Sequence, residues 1–428
     1  MSRIELSDEQ KKLKEIIEKS KNHIFVTGKA GTGKSTLLRE ITQPGAFKSK
    51  FAVVSFTGIA ARHIGGATIH STFDIHKDHT PTDLLHPRPD AIAALRGIDV
   101  LVIDEVSMVS SDLLDAVDKS FRLAKANLKP FGGTQIIMFG DFCQLAPIGK
   151  KGAFKKYMQQ HYKSLYAFDS LVWEKAIYVK YELQHVFRQE DEDYKQLLNR
   201  VREGTFTTAD IDLLNTRVIE PPDDGTVTLC TTNDTVDYIN RRELEKLPGE
   251  EFVFHSNVED NFPENSYPAD SPLMLKEGAP IVMVKNDINP IRRWHNGSRG
   301  TVHSLSPTSI NVQLENNIHS LNVETWENIK FKHDVKKDII IKEVKGTFAQ
   351  YPIKLAWAMT IHKAQGQTLE KVVIDLGSGA FSPGQTYVAL SRCTSLEGVY
   401  LTRPIRTEDI IVHPRVTEFM KNVDNPGE

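Results

Sequence analysis

The stretch GKAGTGKST, residues 28–36, has the spacing Gly-x-x-x-x-Gly-Lys-Ser/Thr and lies between an apolar run and a helical LLREI segment. Glycines 28, 31 and 33 let a loop take conformations closed to other residues and bring its amides close to phosphate oxygens. Lys34 would supply charge to β- and γ-phosphates, and the Ser35 hydroxyl would ligate Mg²⁺. The helix that starts there adds its positive dipole end. Thr32 and Thr36 lie in the same loop and join its glycines as nucleotide-binding candidates. Asp104 and Glu105 end a later apolar run, VLVIDE. In a parallel sheet such a strand end stands at the carboxyl edge, beside the phosphate loop. Asp104 then suits the Mg²⁺ shell, and Glu105 suits orienting and deprotonating an attacking water. Gln144, in FGDFCQLAP, follows the next run and reaches the same edge, where an amide can sense the γ-phosphate and help place water. An ordinary polar loop residue is the plainer alternative. Gln10 keeps two readings. In Ser7-Asp8-Glu9-Gln10 its amide can close a capping box on the Ser7 backbone, or it can read an adenine edge; one amide would hardly serve both fully.

The elements that must position these groups are readable from the apolar pattern. Ile24-Phe25-Val26, FAVVSF (51–56), VLVIDE (100–105) and TQIIMFGD (134–141) are short and nearly continuous in apolar residues. Strands buried on both faces of a parallel sheet have that character. Helical spacing in SSDLLDAVDKSFRLAKANL between the last two predicts a doubly wound α/β domain. A second α/β block starts near residue 175, with TVTLCTT (226–232) as a strand and Asn233 as the cap of the helix that follows. Between 251 and 350 helical periodicity gives way to turns and short alternating runs, which predicts an all-β insertion. Strand and helix signals return with KLAWAMT, KVVIDLG and GQTYVALSRC.

Composition sets the outer limits. With 428 residues, 40% hydrophobic and 25% charged, the chain can bury a sizeable core and is neither disordered nor a disulfide scaffold. The 53 basic and 56 acidic residues leave a net charge of −3, so no bulk positive charge is available to hold a polyanion; local donors must do it. Cys143, Cys230 and Cys393 form no pairing pattern, the N-terminus is too charged for a secretory signal, and no apolar stretch approaches membrane-spanning length. A cytoplasmic protein without a membrane partner is expected.

The motif blocks, in order, resemble the superfamily-one 5′-to-3′ DNA helicases of the petite integration frequency (PIF-one) type, relatives of RecD-like helicases. The segment DLLDAVDKSFRLAKANLKPFGGTQIIMFGDFCQLAPI (112–148) resembles that family's signature. LSDEQ (6–10), TGIAARHIGGATIHSTF (57–73), LQHVFRQ (183–189), LCTTNDTVDYIN (229–240), NGSRGTV (296–302), AMTIHKAQGQTL (358–369) and TYVALSRCTSLEGVYL (386–401) match its other blocks. The resemblance implies two RecA-like P-loop domains. One is 1–180; the other is 181–250 with 351–428, interrupted by an SH3-like β insertion at 251–350. ATP and Mg²⁺ would lie in the cleft between them. Arg188 and Arg392 would be arginine fingers aimed at the γ-phosphate, and Gly366 a further nucleotide contact. Single-stranded DNA would cross the face opposite the nucleotide edge, touching Thr57, His70, Ser71, Thr232, Asn233, Thr360, His362 and Lys363. A wedge at 58–73 would let Phe73 stack on a base; a place in the core is the alternative for Phe73. The activity implied is ATP-driven 5′-to-3′ translocation and unwinding of forked or structured DNA, by a protein monomeric without DNA. The competing activity is a P-loop ATPase stimulated by RNA, or one that switches without translocating.

Overall fold

The computed structural model describes residues 6–43, 50–57, 61, 64, 66–75, 88–149, 153–222, 225–264, 267–287, 289, 293–294, 296–334 and 339–423. The first body is built on six parallel strands: β1 (His23–Gly28), β2 (Phe51–Ser55), β3 (Ala67–Thr68), β4 (Val100–Asp104), β5 (Gln135–Phe139) and β6 (Tyr178–Leu183), in the order β3-β2-β4-β5-β1-β6. The continuous apolar runs are explained by helices on both faces. Ile24, Val26, Val102, Ile137 and Phe139 point to one side, against Leu13 and Ile17 of helix Asp8–Lys19 and Leu37, Leu38 and Ile41 of helix Lys34–Ile41. Phe25, Leu101, Ile103, Ile136 and Met138 point to the other, against Leu113, Leu114, Val117 and Phe121 of helix Ser111–Lys125. The period of two along each strand thus serves two cores.

The second body carries four parallel strands. They are β7 (Thr228–Cys230) and, after helix Asn233–Lys246 and a long all-β excursion, three more at Ala358–Thr360, Val372–Asp375 and Val399–Leu401, the first and second of these flanking β7. Helices Glu192–Glu203 and Gln385–Leu390 close its core. The excursion is all-β, as expected from the loss of helical periodicity. It holds a five-stranded antiparallel sheet over Pro280–Met283, Arg299–Ser306, Ser309–Leu314, Asn317–Leu321 and Ile353–Leu355. A long hairpin, Glu324–Asp334 with Ile339–Gln350, runs alongside helix Pro89–Arg96 of the first body.

Three stretches depart from the expected division. β6 extends the first sheet to Leu183, and Ile353–Leu355 extends the insertion past residue 350. Helix Pro414–Met420 follows the second body in sequence but packs into the first. Val416 and Val423 join the first core, Phe419 stacks on Phe168 with centroids 4.3 Å apart, and Arg415 Nε donates to Asp169 at 3.1 Å. Among the described residues no helix is long and apolar enough to cross a membrane.

Candidate active site

β1 delivers the chain to the phosphate loop, and helix Lys34–Ile41 carries it away. Gly31 and Gly33 adopt φ of +83° and +77°, where L-residues are strained. Space opposes a side chain as well: a Cβ on Gly31 would lie 2.5 Å from Cβ of Arg188, and one on Gly33, at 2.4 Å from Nε2 of Gln10, would displace that amide. Lys34 Nζ donates to the carbonyls of Gly28 at 2.6 Å and Lys29 at 2.9 Å, and burial holds it below the usual lysine range. The Thr32 hydroxyl donates to Lys29 O at 3.0 Å, Ser35 is exposed in the first turn, and Thr36 is half-buried. Gln10 is engaged at both ends. Its Oε1 accepts from Ser7 N at 3.0 Å, completing the capping box, while Nε2 donates to Gly33 O at 3.2 Å. The capping reading therefore holds, and the same amide also steadies the loop.

Asp104 and Glu105 stand at the end of β4, as the buried run requires. Asp104 Oδ1 accepts from Glu105 N at 2.9 Å. Glu105 has φ +52° and ψ +46°, a left-handed conformation that costs a non-glycine residue about 1 kcal/mol or more. That turn aims its carboxylate into the cleft, where Gln365 Nε2 of the second body donates to Oε2 at 2.8 Å. Burial, then the neighbouring Glu105 charge, pushes the Asp104 carboxyl up to about 7. Burial also raises Glu105, against the pull of Lys34 and Arg392. A buried carboxylate held this high is relieved by a cation. Among the described residues no cluster of three or more acidic, histidine or cysteine side chains could hold a metal. Mg²⁺ needs none, because one or two protein oxygens plus phosphates suffice, and the Asp104 carboxylate with the Ser35 hydroxyl is such a donor pair.

Gln144 is buried, and its Nε2 lies 3.3 Å from Asp141 Oδ2. Asp141 is fully buried and forms a two-armed pair with Arg202 from helix Glu192–Glu203, with Nε at 3.1 Å and Nη2 at 3.0 Å. Arg202 also reaches Glu182 at 3.2 Å. Burial would raise the Asp141 carboxyl; Arg202 and then Lys34 outweigh it and hold the group below the usual carboxylate range. The sequence reading missed this pair, because Arg202 sits in a helix rich in charged residues and its partner lies 61 residues away. Two more contacts join the bodies. Ala30 N in the phosphate loop donates to the Tyr387 hydroxyl at 3.0 Å. Gly384 lies so close to Gln144 that a Cβ would sit 2.2 Å from its carbonyl oxygen.

The two arginines converge on this cleft. Arg188 packs on Gly31 and donates to Thr368 Oγ1 at 2.9 Å and Ser391 O at 3.0 Å. Arg392, 1% exposed, donates to Val388 O at 3.0 Å, Gln367 O at 3.3 Å and Ser391 Oγ at 2.9 Å. Burial, then repulsion from Arg188, lowers its guanidinium to about 9. Two cations forced together out of water beside a glycine cradle fit a polyphosphate, whose charge would relieve both. Gly366, at φ +84°, is exposed next to Gln365.

The family model described as PIF1-like helicase matches residues 5–212, and a second model, described as a helicase, matches residues 331–419. The ATP-dependent DNA helicase Pif1 of Bdellovibrio bacteriovorus is 31% identical over 98% of this chain and 93% of its own length. The chain belongs to the PIF1-like helicases. An unliganded Pif1 from Bacteroides sp. is 34% identical and superposes with a TM-score of 0.82, covering 99% of this chain and 98% of its own. The Danio rerio ATP-dependent DNA helicase PIF1 is 35% identical over 92% of this chain but only 60% of its own length, so the chain spans about three fifths of that curated relative. The two parallel α/β bodies are the RecA-like domains of a PIF1-like helicase.

The residues expected to contact a strand are placed less uniformly. Thr57 follows β2, and His70 and Ser71 follow β3, its neighbour. All strands of this sheet are parallel, so these residues share the carboxyl edge with the phosphate loop and are displaced sideways from it; they do not lie on an opposite face. Ser71 is exposed and its hydroxyl donates to Thr68 O at 3.0 Å. Phe73 is 0% exposed, meets Phe121 edge-on at 5.2 Å and belongs to the first core, so it does not stack on a base. Residues 58–60, 62–63 and 65 of the expected wedge lie outside the described residues. In the second body Thr232 and Asn233 follow β7, while Thr360 ends the adjacent strand, paired to Cys230, and His362 and Lys363 follow it. The helix cap is Thr232, whose Oγ1 accepts from Thr235 N at 3.3 Å; Asn233 is the first helical residue and is exposed. Thr360 is buried and accepts from Lys363 N through its hydroxyl at 3.3 Å, which leaves Lys363 exposed and His362 half-buried.

Proposed function

We propose that the chain is an ATP- and Mg²⁺-dependent motor that moves 5′ to 3′ along single-stranded DNA and separates duplex ahead of it. One observation carries this reading: groups from both RecA-like bodies meet around the phosphate loop, with Glu105 bonded to Gln365 and Arg188 packed on Gly31. Lys34 and the loop amides would bind the triphosphate, Glu105 would take the proton of a water aligned with help from Gln144, and Arg188 and Arg392 would stabilise charge spreading over the γ-oxygens. Bound Mg²⁺, held by Ser35 and Asp104, would neutralise charge on the β- and γ-oxygens. Because the arginines come from the second body, turnover requires a closed cleft, and closing and reopening would shift the two strand grips alternately. Gly366 is the further nucleotide contact in this scheme.

Thr57, His70 and Ser71 would form one grip, and Thr232, Asn233, Thr360, His362 and Lys363 the other. Hydroxyl, imidazole and ammonium donors of this kind track phosphates and read little sequence. The antiparallel insertion would be the family's SH3-like domain. Relatives support the ligands: Bacteroides Pif1 has been seen with single-stranded DNA and with ADP-AlF4, and a further Pif1 structure concerns unwinding of forked duplex DNA by two coordinating helicases. Forks, G-quadruplexes and RNA–DNA hybrids are the structured substrates to which the proposal extends, acted on by a protein monomeric without DNA. A cytoplasmic setting belongs to the same proposal, supported by three cysteines that stay free. Unwinding of matched duplexes with a 5′ or a 3′ overhang tests it. Activity from the 5′ overhang is expected; activity only from the 3′ overhang, or only on RNA, overturns it.

A further inference from the structure

Gln365 lies two residues after Lys363 of the second grip and has no part in either grip. Its amide nitrogen is 2.8 Å from Glu105 Oε2, and among the described residues no other side chain hydrogen-bonds that carboxylate. The nitrogen must be the atom facing Glu105, because an amide oxygen there would oppose the carboxylate. Among the described residues no protein group pairs with the remaining oxygen, Oε1.

The backbone beneath Gln365 is a compact unit. Ala364 N donates to Thr360 O at 3.1 Å, Gln365 N to His362 O at 3.4 Å, and Gln367 N to Ala364 O at 3.0 Å. Gln367 Nε2 ties back to Lys363 O at 3.1 Å. Ile361 and Ala364 are fully buried in the second core. On this turn Lys363 is exposed and His362 half-buried, while Gln365 reaches Glu105 in the cleft. A shift imposed on one side of so short and bonded a turn is carried to the other.

We propose that Gln365 is the positioning residue through which a bound strand sets the orientation of Glu105. Contact at His362 and Lys363 moves the turn, the amide moves with it, and the carboxylate follows. The inference rests on the roles given above to Glu105 and to residues 360–363.

The test compares ATP turnover of the whole chain with and without oligothymidylate, for wild type, Gln365→Ala and Gln365→Glu. The alanine removes the side chain; the glutamate keeps its size and loses the donor. In both variants the ratio of stimulated to basal kcat is expected to fall about tenfold or more, which corresponds to losing one charge-assisted hydrogen bond. The KM for ATP and the affinity for a labelled oligothymidylate are expected to stay within about twofold. A variant that is damaged only structurally loses both rates together and keeps the ratio, which overturns the inference. A strand affinity that falls in step with turnover also overturns it, by making Gln365 a contact. Wild type without any strand stimulation would overturn the proposed function and this inference with it; a stimulated wild type whose ratio survives in both variants sinks the inference alone.

Discussion

The phosphate-loop side of the first sheet and the side proposed to grip a strand share one edge and differ in almost every physical respect. Around the phosphate loop the groups are charged, enclosed and bonded across two bodies: Lys34 to loop carbonyls, Glu105 to Gln365, Asp141 to Arg202, Ala30 to Tyr387. Around β2 and β3 they are neutral or weakly basic, and bonds such as Ser71 to Thr68 are local. Displacing a γ-phosphoryl group needs a few donors fixed to within tenths of an ångström. Gripping a sugar-phosphate backbone needs several exchangeable ones. Damage on the first side should therefore be large and specific, and on the second small and additive.

Arg392→Ala is the most severe test of that contrast. It should lower kcat for ATP on the order of 10³-fold while nucleotide binding persists, measured by steady-state turnover and by equilibrium binding of a labelled analogue. Glu105→Gln should retain ATP and cost about 10²- to 10³-fold in turnover, with normal rates excluding it as the base. Arg202→Met strands a buried carboxylate and should cost about 3–5 kcal/mol, read by urea unfolding, with Asp141→Leu in the same chain restoring much of it. Since the Asp141 carboxyl is held below its reference value of 3.8, the pair's contribution is present above about pH 4 and lost as pH falls through the folded-state value. Phe73→Leu should cost about 1 kcal/mol of stability and leave strand affinity unchanged; a loss of affinity alone would restore a stacking role. Thr57→Ala should weaken strand binding by only about two- to fivefold, with a salt dependence close to that of wild type. A larger effect there would erase the contrast.

The same contrast explains what could be read from the chain before its structure. Strands buried on two faces announce themselves by continuous apolar runs, and a phosphate loop by glycines whose spacing geometry imposes. Lys34, Asp104, Glu105 and Gln144 follow from position on those elements. Arg202 does not, because its partner Asp141 lies 61 residues away and only the tertiary fold joins them. Gln365 was hidden for the same reason. Phe73 was misread because a motif block does not say which face of its short helix is buried. The helix cap was misplaced by one residue, since Thr232 is extended and has its own hydroxyl to offer the turn. The packing of Pro414–Met420 on the first core rests on shape and on one ion pair: Phe419 matches a pocket of aromatic rings and Arg415 meets Asp169, and no local pattern announces either.

That last helix has a mechanical result. The polypeptide passes from the first body to the second between Leu183 and Tyr194, and returns between Ile410 and Val416. Pulling the halves straight apart would stretch both covalent bridges. Rotation about the line joining them stretches neither, so two crossings leave one axis open, as two pins leave a door.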